Sequence, residues 1–137
     1  MPILDCFLFE VANNTLTVTA SDTENVMQST IELAESTGEG RFAIPNRTIL
    51  NAVKELPEQP LSFNVNEADY TVEIDYLNGS FNIAAQSADE YPMAQELDGD
   101  VTTITIDSTL LAENLSRSLF ATATDEIRPV MGGVYFD

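Results

Sequence analysis

The run Pro45-Asn46-Arg47-Thr48-Ile49-Leu50-Asn51-Ala52-Val53-Lys54-Glu55-Leu56-Pro57 is the clearest helix in a chain that otherwise reads as strands. Asn46 suits the N-cap, because its side-chain oxygen can accept from a free N–H of the first turn. Pro57 marks the end, since proline cannot extend the hydrogen-bond ladder and disfavours helical geometry in the residue before it. Ile49, Leu50, Val53 and Leu56 fall at i, i+1, i+4 and i+7, one apolar stripe that requires a packing partner. Arg47, Asn51 and Lys54 recur at i, i+4 and i+7 on the opposite face.

Working outward toward the N-terminus, Phe42 and Ile44 begin a strand that leads into the helix. Before it, Pro2 to Val11 is nearly all apolar, as suits a strand covered on both faces. Asn13-Asn14 signals a turn, and Leu16, Val18 and Ala20 then alternate with threonines, which are expected outside. Met27, Ile31 and Leu33 keep a period of two against Gln28, Thr30 and Glu32. Beyond the helix, Leu61, Phe63 and Val65 alternate, as do Tyr70, Val72, Ile74 and Tyr76. Asn78-Gly79 signals a type I′ hairpin, which needs positive φ at both central residues, with Phe81, Ile83 and Ala85 returning. Ser87 to Asp100 loses periodicity and reads as a linker. Val101–Ile106 reads as a strand, Asp107 or Ser108 as the cap of a second helix to about Ala123, and Val134–Asp137 as a further strand. The order β-β-β-β-α-β-β-β-linker-β-α-β predicts an α+β fold of mostly antiparallel sheets with the helices on one face. It also contains a repeated unit whose first copy lacks its opening strand and helix.

The chain has 5 basic against 23 acidic side chains, a net charge of −18, which by itself opposes nucleic-acid binding. Length and 44% hydrophobic content fit a single globular domain. The lone Cys6 allows no internal disulfide. No apolar run approaches a membrane span and no positive leader precedes the first strand, so a cytoplasmic location is expected, away from membranes.

Catalysis finds little support. There is no histidine, and Cys6 lies in a core-like run where an inert buried thiol is expected. The pairs Asp22/Glu24, Asp89/Glu90 and Asp125/Glu126 fall in turns or loops, where solvated carboxylates are ordinary. Asp98-Gly99-Asp100 is too short for a calcium loop. The expectation is therefore no enzyme, no metal and no cofactor. The cations carry more information. Arg47 and Lys54 are on the first helix and Arg117 on the second, about 200° from Leu115, whereas Leu111, Leu115 and Leu119 form that helix's buried stripe. Arg41 and Arg128 lie nearby in sequence. Solvated helix faces explain this pattern as well as a positive layer that meets phosphates without reading sequence.

Several runs resemble the bacterial sliding clamp, the β subunit and processivity factor of the replicative DNA polymerase. They are Pro2-Ile3-Leu4, Thr15–Ala20 with Ser21-Asp22, the helix with Leu56-Pro57-Glu58, Ser87-Ala88-Asp89-Glu90-Tyr91-Pro92, and above all Ile127–Asp137. Gly132 departs from the family, which usually has Asn there. The resemblance implies a DNA-clamp fold: a ring of repeated α+β domains, sheets outside and helices around duplex DNA, closed by self-association into a head-to-tail dimer. It implies that residues 1–95 are clamp domain 1 without its first strand and helix, and 96–137 the opening β-α-β of domain 2. It implies that Arg47, Lys54 and Arg117 are DNA-facing, and that Arg128, Val130 and Met131 border the pocket for client peptides of the polymerase, clamp loader and other partners. Such a ring tethers the polymerase by encircling DNA, so few weak, sequence-blind contacts suffice, and −18 does not exclude it.

Two outcomes stay open for the tail. It fills the vacancy in its own chain, closing a permuted pseudo-domain, which tethering favours, or it exchanges with a second copy. The 14-residue linker reaches up to about 45 Å. The reading from another class is a free-standing acidic, β-rich interaction domain without a nucleic-acid role, which would scatter its five cations instead of layering them. An acid-based hydrolase would need two carboxylates converging in a cleft.

Overall fold

Two antiparallel meanders joined by a strand and a helix make up the first part of the chain in the computed structural model, which describes residues 2–22, 24–93, 99, 101–124 and 127–136. Strands β1 (Cys6–Ala12), β2 (Thr15–Ser21), β3 (Val26–Glu32) and β4 (Gly40–Pro45) lead into helix α1 (Asn46–Lys54). Then come β5 (Ser62–Asn66), β6 (Thr71–Tyr76), β7 (Gly79–Ala84) and the two-residue β8 (Gln86–Ser87). One sheet has the order β3-β2-β1-β4-β8 and the other β5-β6-β7, with every pairing antiparallel. The chain divides into two compact units, Met1–Gln95 and Glu96–Asp137.

The apolar run at the N-terminus is explained by β1 having two covered faces. Phe9 lies opposite Phe42 of β4, ring centroids 5.6 Å apart, and both join Ile44, Ile49, Val72, Ile74 and Ile83 in the main core. That core gathers residues of both sheets and of α1. The alternate residues Cys6 and Leu8 meet Ala43, Ala88 and Tyr91 in a second, smaller cluster. Alternation in β6 works as expected, with Val72 and Ile74 fully buried.

Several expectations need correction. Thr19 is buried, because the second cluster gives β2 a covered outer face, and Gln28 Nε2 donates to its Oγ1 at 3.2 Å. Met27 and Ile31 are 76% and 51% exposed, since β3 is an edge strand and all its residues are exposed. The expected Ser87–Asp100 linker begins later, because Ser87 is in β8 and Ala88 and Tyr91 are buried. The Asn78-Gly79 hairpin forms one residue out of step. Tyr76 pairs with Gly79, leaving Leu77-Asn78 as the loop, and none of these has positive φ. Gly79 instead opens β7 where a Cβ would stand 3.1 Å from Tyr76 Oη. Positive φ at two adjacent loop residues occurs at Asn13 (50°) and Asn14 (60°), between the paired Ala12 and Thr15.

Helix α1 ends at Lys54, and Asn46 is its first residue; Pro45 holds the N-cap position and no side chain caps the helix. Of the apolar stripe only Ile49 is buried, while Leu50 and Val53 are exposed and Leu56 is half-buried.

In the second unit, helix α2 (Ser108–Leu119) stops short of Ala123. Asp107 caps it, one carboxylate oxygen accepting from the N–H groups of Thr109 and Leu110 at 3.0 Å each. Leu111 and Leu115 are half-buried and Leu119 is exposed. Neither Val101–Ile106 nor 134–136 forms a strand; Val101, Ile104 and Ile106 are exposed. A strand needs a ladder, and no strand is present among the described residues of this unit. Asp137, the pair Asp125/Glu126, and Asp98 and Asp100 lie outside the described residues.

Ile74→Ala should lower the unfolding free energy by about 2–5 kcal/mol, whereas Met27→Ala should change it by less than about 0.5 kcal/mol; urea melts of the two variants check the contrast. At Asp22, the N–H of Asn25 (2.7 Å), the Asn25 amide group and the N–H of Glu24 donate to the carboxylate and hold its pKa below the ordinary aspartate value. The folded-state value is the lower one, so this stabilisation is complete above the unfolded-state pKa and disappears as pH falls through the folded-state pKa. Asp22→Asn should therefore flatten the acid limb of the stability–pH curve, and an unaltered limb would contradict the assignment.

Candidate nucleic-acid interface

Helix α1 follows β4 without a loop, so its orientation is set by the strand and by Ile49, which enters the core. Residues two positions before and two and five after Ile49 are thereby turned outward, and Arg47, Asn51 and Lys54 are all exposed. Arg47 and Lys54 stand about 10 Å apart along the axis. Neither has a carboxylate within ion-pair distance among the described residues. The ion pairs found there are Arg41 Nε–Glu10 Oε1 at 3.1 Å and Arg117 Nη2–Glu113 Oε2 at 3.9 Å. Lys54 also lies in the last turn of α1, where the free carbonyls favour a cation.

The other cations differ from this pair. Arg41 is opposite Glu10 in the β1–β4 register and is held across the strands, so it does not belong to the helix layer. Its Nη2 also approaches Met93 Sδ at 3.7 Å. Arg117 is exposed on α2 with a long, solvent-screened i,i+4 contact to Glu113, which a phosphate could displace at little cost. Two uncompensated cations on one helix face can meet phosphate oxygens as point charges and cannot by themselves distinguish base pairs.

Arg128, Val130 and Met131 occupy one short segment of the second unit. Val130 and Met131 share the 3-10 turn Pro129–Gly132, which Arg128 precedes, and all three are exposed, Val130 to 90%. Ala123 N–H donates to the Met131 carbonyl at 2.8 Å and Met131 N–H to the Arg128 carbonyl at 2.9 Å, fixing the backbone of this apolar ridge. Gly132 packs near the Ala123 carbonyl, 3.4 Å from where a Cβ would stand. Sequence reasoning overlooked the role of Tyr91, whose buried hydroxyl reaches two strands; an aromatic amid polar residues was the available signal.

No group of three or more metal-binding side chains occurs among the described residues, and none of their helices is long and apolar enough to cross a membrane.

The family model described as DNA polymerase III beta subunit, N-terminal domain, matches residues 1–95. The beta sliding clamps of Staphylococcus epidermidis and Staphylococcus aureus are 29% and 26% identical over 141 aligned positions, covering 98% of this chain and 37% of theirs. Among solved structures, the DNA polymerase III beta subunit of Thermotoga maritima is 33% identical with a TM-score of 0.74, covering 92% of this chain and 34% of that one. The DNA polymerase sliding clamp of Bacillus subtilis is 26% identical with a TM-score of 0.82, covering 95% and 36%. This chain thus spans little more than a third of the length of these relatives.

Proposed function

The chain belongs to the DNA polymerase III beta-subunit family, matching its N-terminal domain, and from that premise we propose that it forms part of a ring-shaped sliding clamp around duplex DNA in the cytoplasm. In this reading residues 1–95 are the first clamp domain and 96–137 open the next. The ring tethers the replicative polymerase, so the work is topological and no bond is made or broken by the protein. The observation that carries the DNA-facing assignment is the pair Arg47 and Lys54, exposed on one helix face without carboxylate partners among the described residues, in a chain of net charge −18. Arg117 is assigned the same role on α2.

A protein that must slide gains from contacts that are weak and identical at every base pair. Two or three phosphate contacts meet that need, because the closed ring, not affinity, prevents escape. Arg128, Val130 and Met131 are assigned to the rim of the site that receives peptides of the polymerase, clamp loader and other clients, with the exposed ridge of Val130 and Met131 as its apolar part.

Replacing Arg47, Lys54 and Arg117 with Ala in a closed ring carrying these residues should weaken DNA binding equally across sequences. It should also reduce the slope of log K against log salt by about 0.9 for each phosphate no longer neutralised. An unchanged slope would remove the three from the interface. The 137-residue chain alone should give no gel shift with duplex DNA at physiological salt, as it cannot encircle; a tight complex would contradict the topological reading. Calorimetry at micromolar concentrations should detect no binding of a clamp-binding peptide to this chain, because an exposed ridge lacks the desolvated centre that supplies affinity. A saturable isotherm would show the site to be complete within these residues.

A further inference from the structure

The outer face of the five-stranded sheet is closed by a thin cover. Of the segment that crosses it, Ala88 and Tyr91 are buried, while Asp89 and Glu90 are exposed. Beneath them lie Leu8 and Ala43, with no exposed surface, and the thiol of Cys6. The ladder holding this segment has two residue pairs, Phe42–Ser87 and Ala43–Gln86, against seven between β2 and β3. Its other ties centre on Gln86 and Tyr91, whose hydroxyl also meets the backbone of Ser21 and Leu8. Gln86 Nε2 donates to Cys6 Sγ at 2.9 Å, and Tyr91 N–H donates to the Ala88 carbonyl at 3.0 Å. The Tyr91 hydroxyl lies 3.1 Å from the Cys6 carbonyl and 3.2 Å from that of Thr19. It has one proton for two acceptors, and burial pushes the phenol's pKa up, so that proton is retained at neutral pH.

We infer that Gln86–Tyr91 is a latch: it opens as a unit when the Tyr91 anchor releases, while the core between the two sheets stays closed, exposing Cys6, Leu8 and Ala43. The basis is the disparity in attachment. Opening breaks two ladder pairs, the Gln86 side-chain hydrogen bond and the contacts of the Tyr91 hydroxyl with the Cys6 and Thr19 carbonyls and with the backbone of Ser21 and Leu8, and leaves Phe9, Phe42, Ile44, Val72, Ile74 and Ile83 in place. Segments with few buried contacts and short ladders open well below the cost of global unfolding. Tyr91 is the positioning residue of the latch, and Cys6, being the one cysteine, reports on its state.

The test is the rate at which Cys6 of the intact chain reacts with excess Ellman's reagent at increasing sub-denaturing urea, alongside hydrogen exchange of the β6 amides. Local opening predicts labelling that depends weakly on urea and is faster than β6 exchange allows. Tyr91→Phe, which keeps the ring and removes the hydroxyl, should accelerate labelling about tenfold, the effect of losing about one buried hydrogen bond, and leave β6 exchange unchanged. Cys6 labelling with the same urea dependence as the β6 amides would overturn the inference, as would a Tyr91→Phe rate equal to wild type. A Tyr91→Phe chain that fails to fold would also overturn it, because Tyr91 would then belong to the global core.

Discussion

Because β1 buries side chains on both faces, the first unit needs two separate covers, and most of its architecture answers that need. The second sheet and Ile49 cover Phe9, and Ala88 and Tyr91 cover Cys6 and Leu8. Burying a residue such as Leu8 is worth about 1.5–3 kcal/mol, so each cover adds a sizeable share to a domain whose net stability is on the order of 10 kcal/mol. Strand β4 shares the arrangement, with Phe42 and Ile44 on one side and Ala43 on the other. The small side chain at Ala43 leaves room for the crossing segment. Helix α1 continues directly from β4, so the orientation of its solvent face descends from the same constraint.

How much of this was legible in the sequence depended on whether the deciding contact was local. Val72 and Ile74 were readable because a period of two places them on one face whatever lies beyond. Arg47 and Lys54 were readable because the 3.6-residue period sets them opposite Ile49. Thr19 was not, since its burial comes from Tyr91, 72 residues away. Arg41 was placed with the helical cations by its position in the chain, yet its partner Glu10 is supplied by the β1–β4 register. The two hairpins divide along the same line. Asn13 and Asn14 adopt the positive φ that their turn requires, whereas register moved Gly79 out of its loop and into β7. Val101–Ile106 has a strand's composition but lacks a described ladder, and composition cannot provide one. The rim role proposed for Arg128, Val130 and Met131 rests on family resemblance alone, as no periodicity singles out an irregular segment.

Charge and function become compatible once net charge is separated from its distribution. The 23 carboxylates set the field far from the surface, whereas a phosphate in contact responds to the nearest few ångströms. There, among the described residues, Arg47 and Lys54 have no carboxylate partner, and Arg41 is neutralised by Glu10. A cation that is already paired contributes little to an incoming anion, so the number of available cations is smaller than the sequence count. In the proposed ring this is no handicap, since encirclement replaces affinity.

The exposed strand β3 has a further consequence for the protein as a colloid. Among the described residues it is a seven-residue edge with no strand on its outer side and with Met27 and Ile31 in water, the kind of edge onto which another chain can add. Few local features oppose this. Opposition comes from the whole molecule, because two copies of charge −18 repel before their edges can meet. Such repulsion shortens with the Debye length, from about 30 Å at 0.01 M salt to about 3 Å at 1 M, so ionic strength governs how far this edge is kept from its own kind.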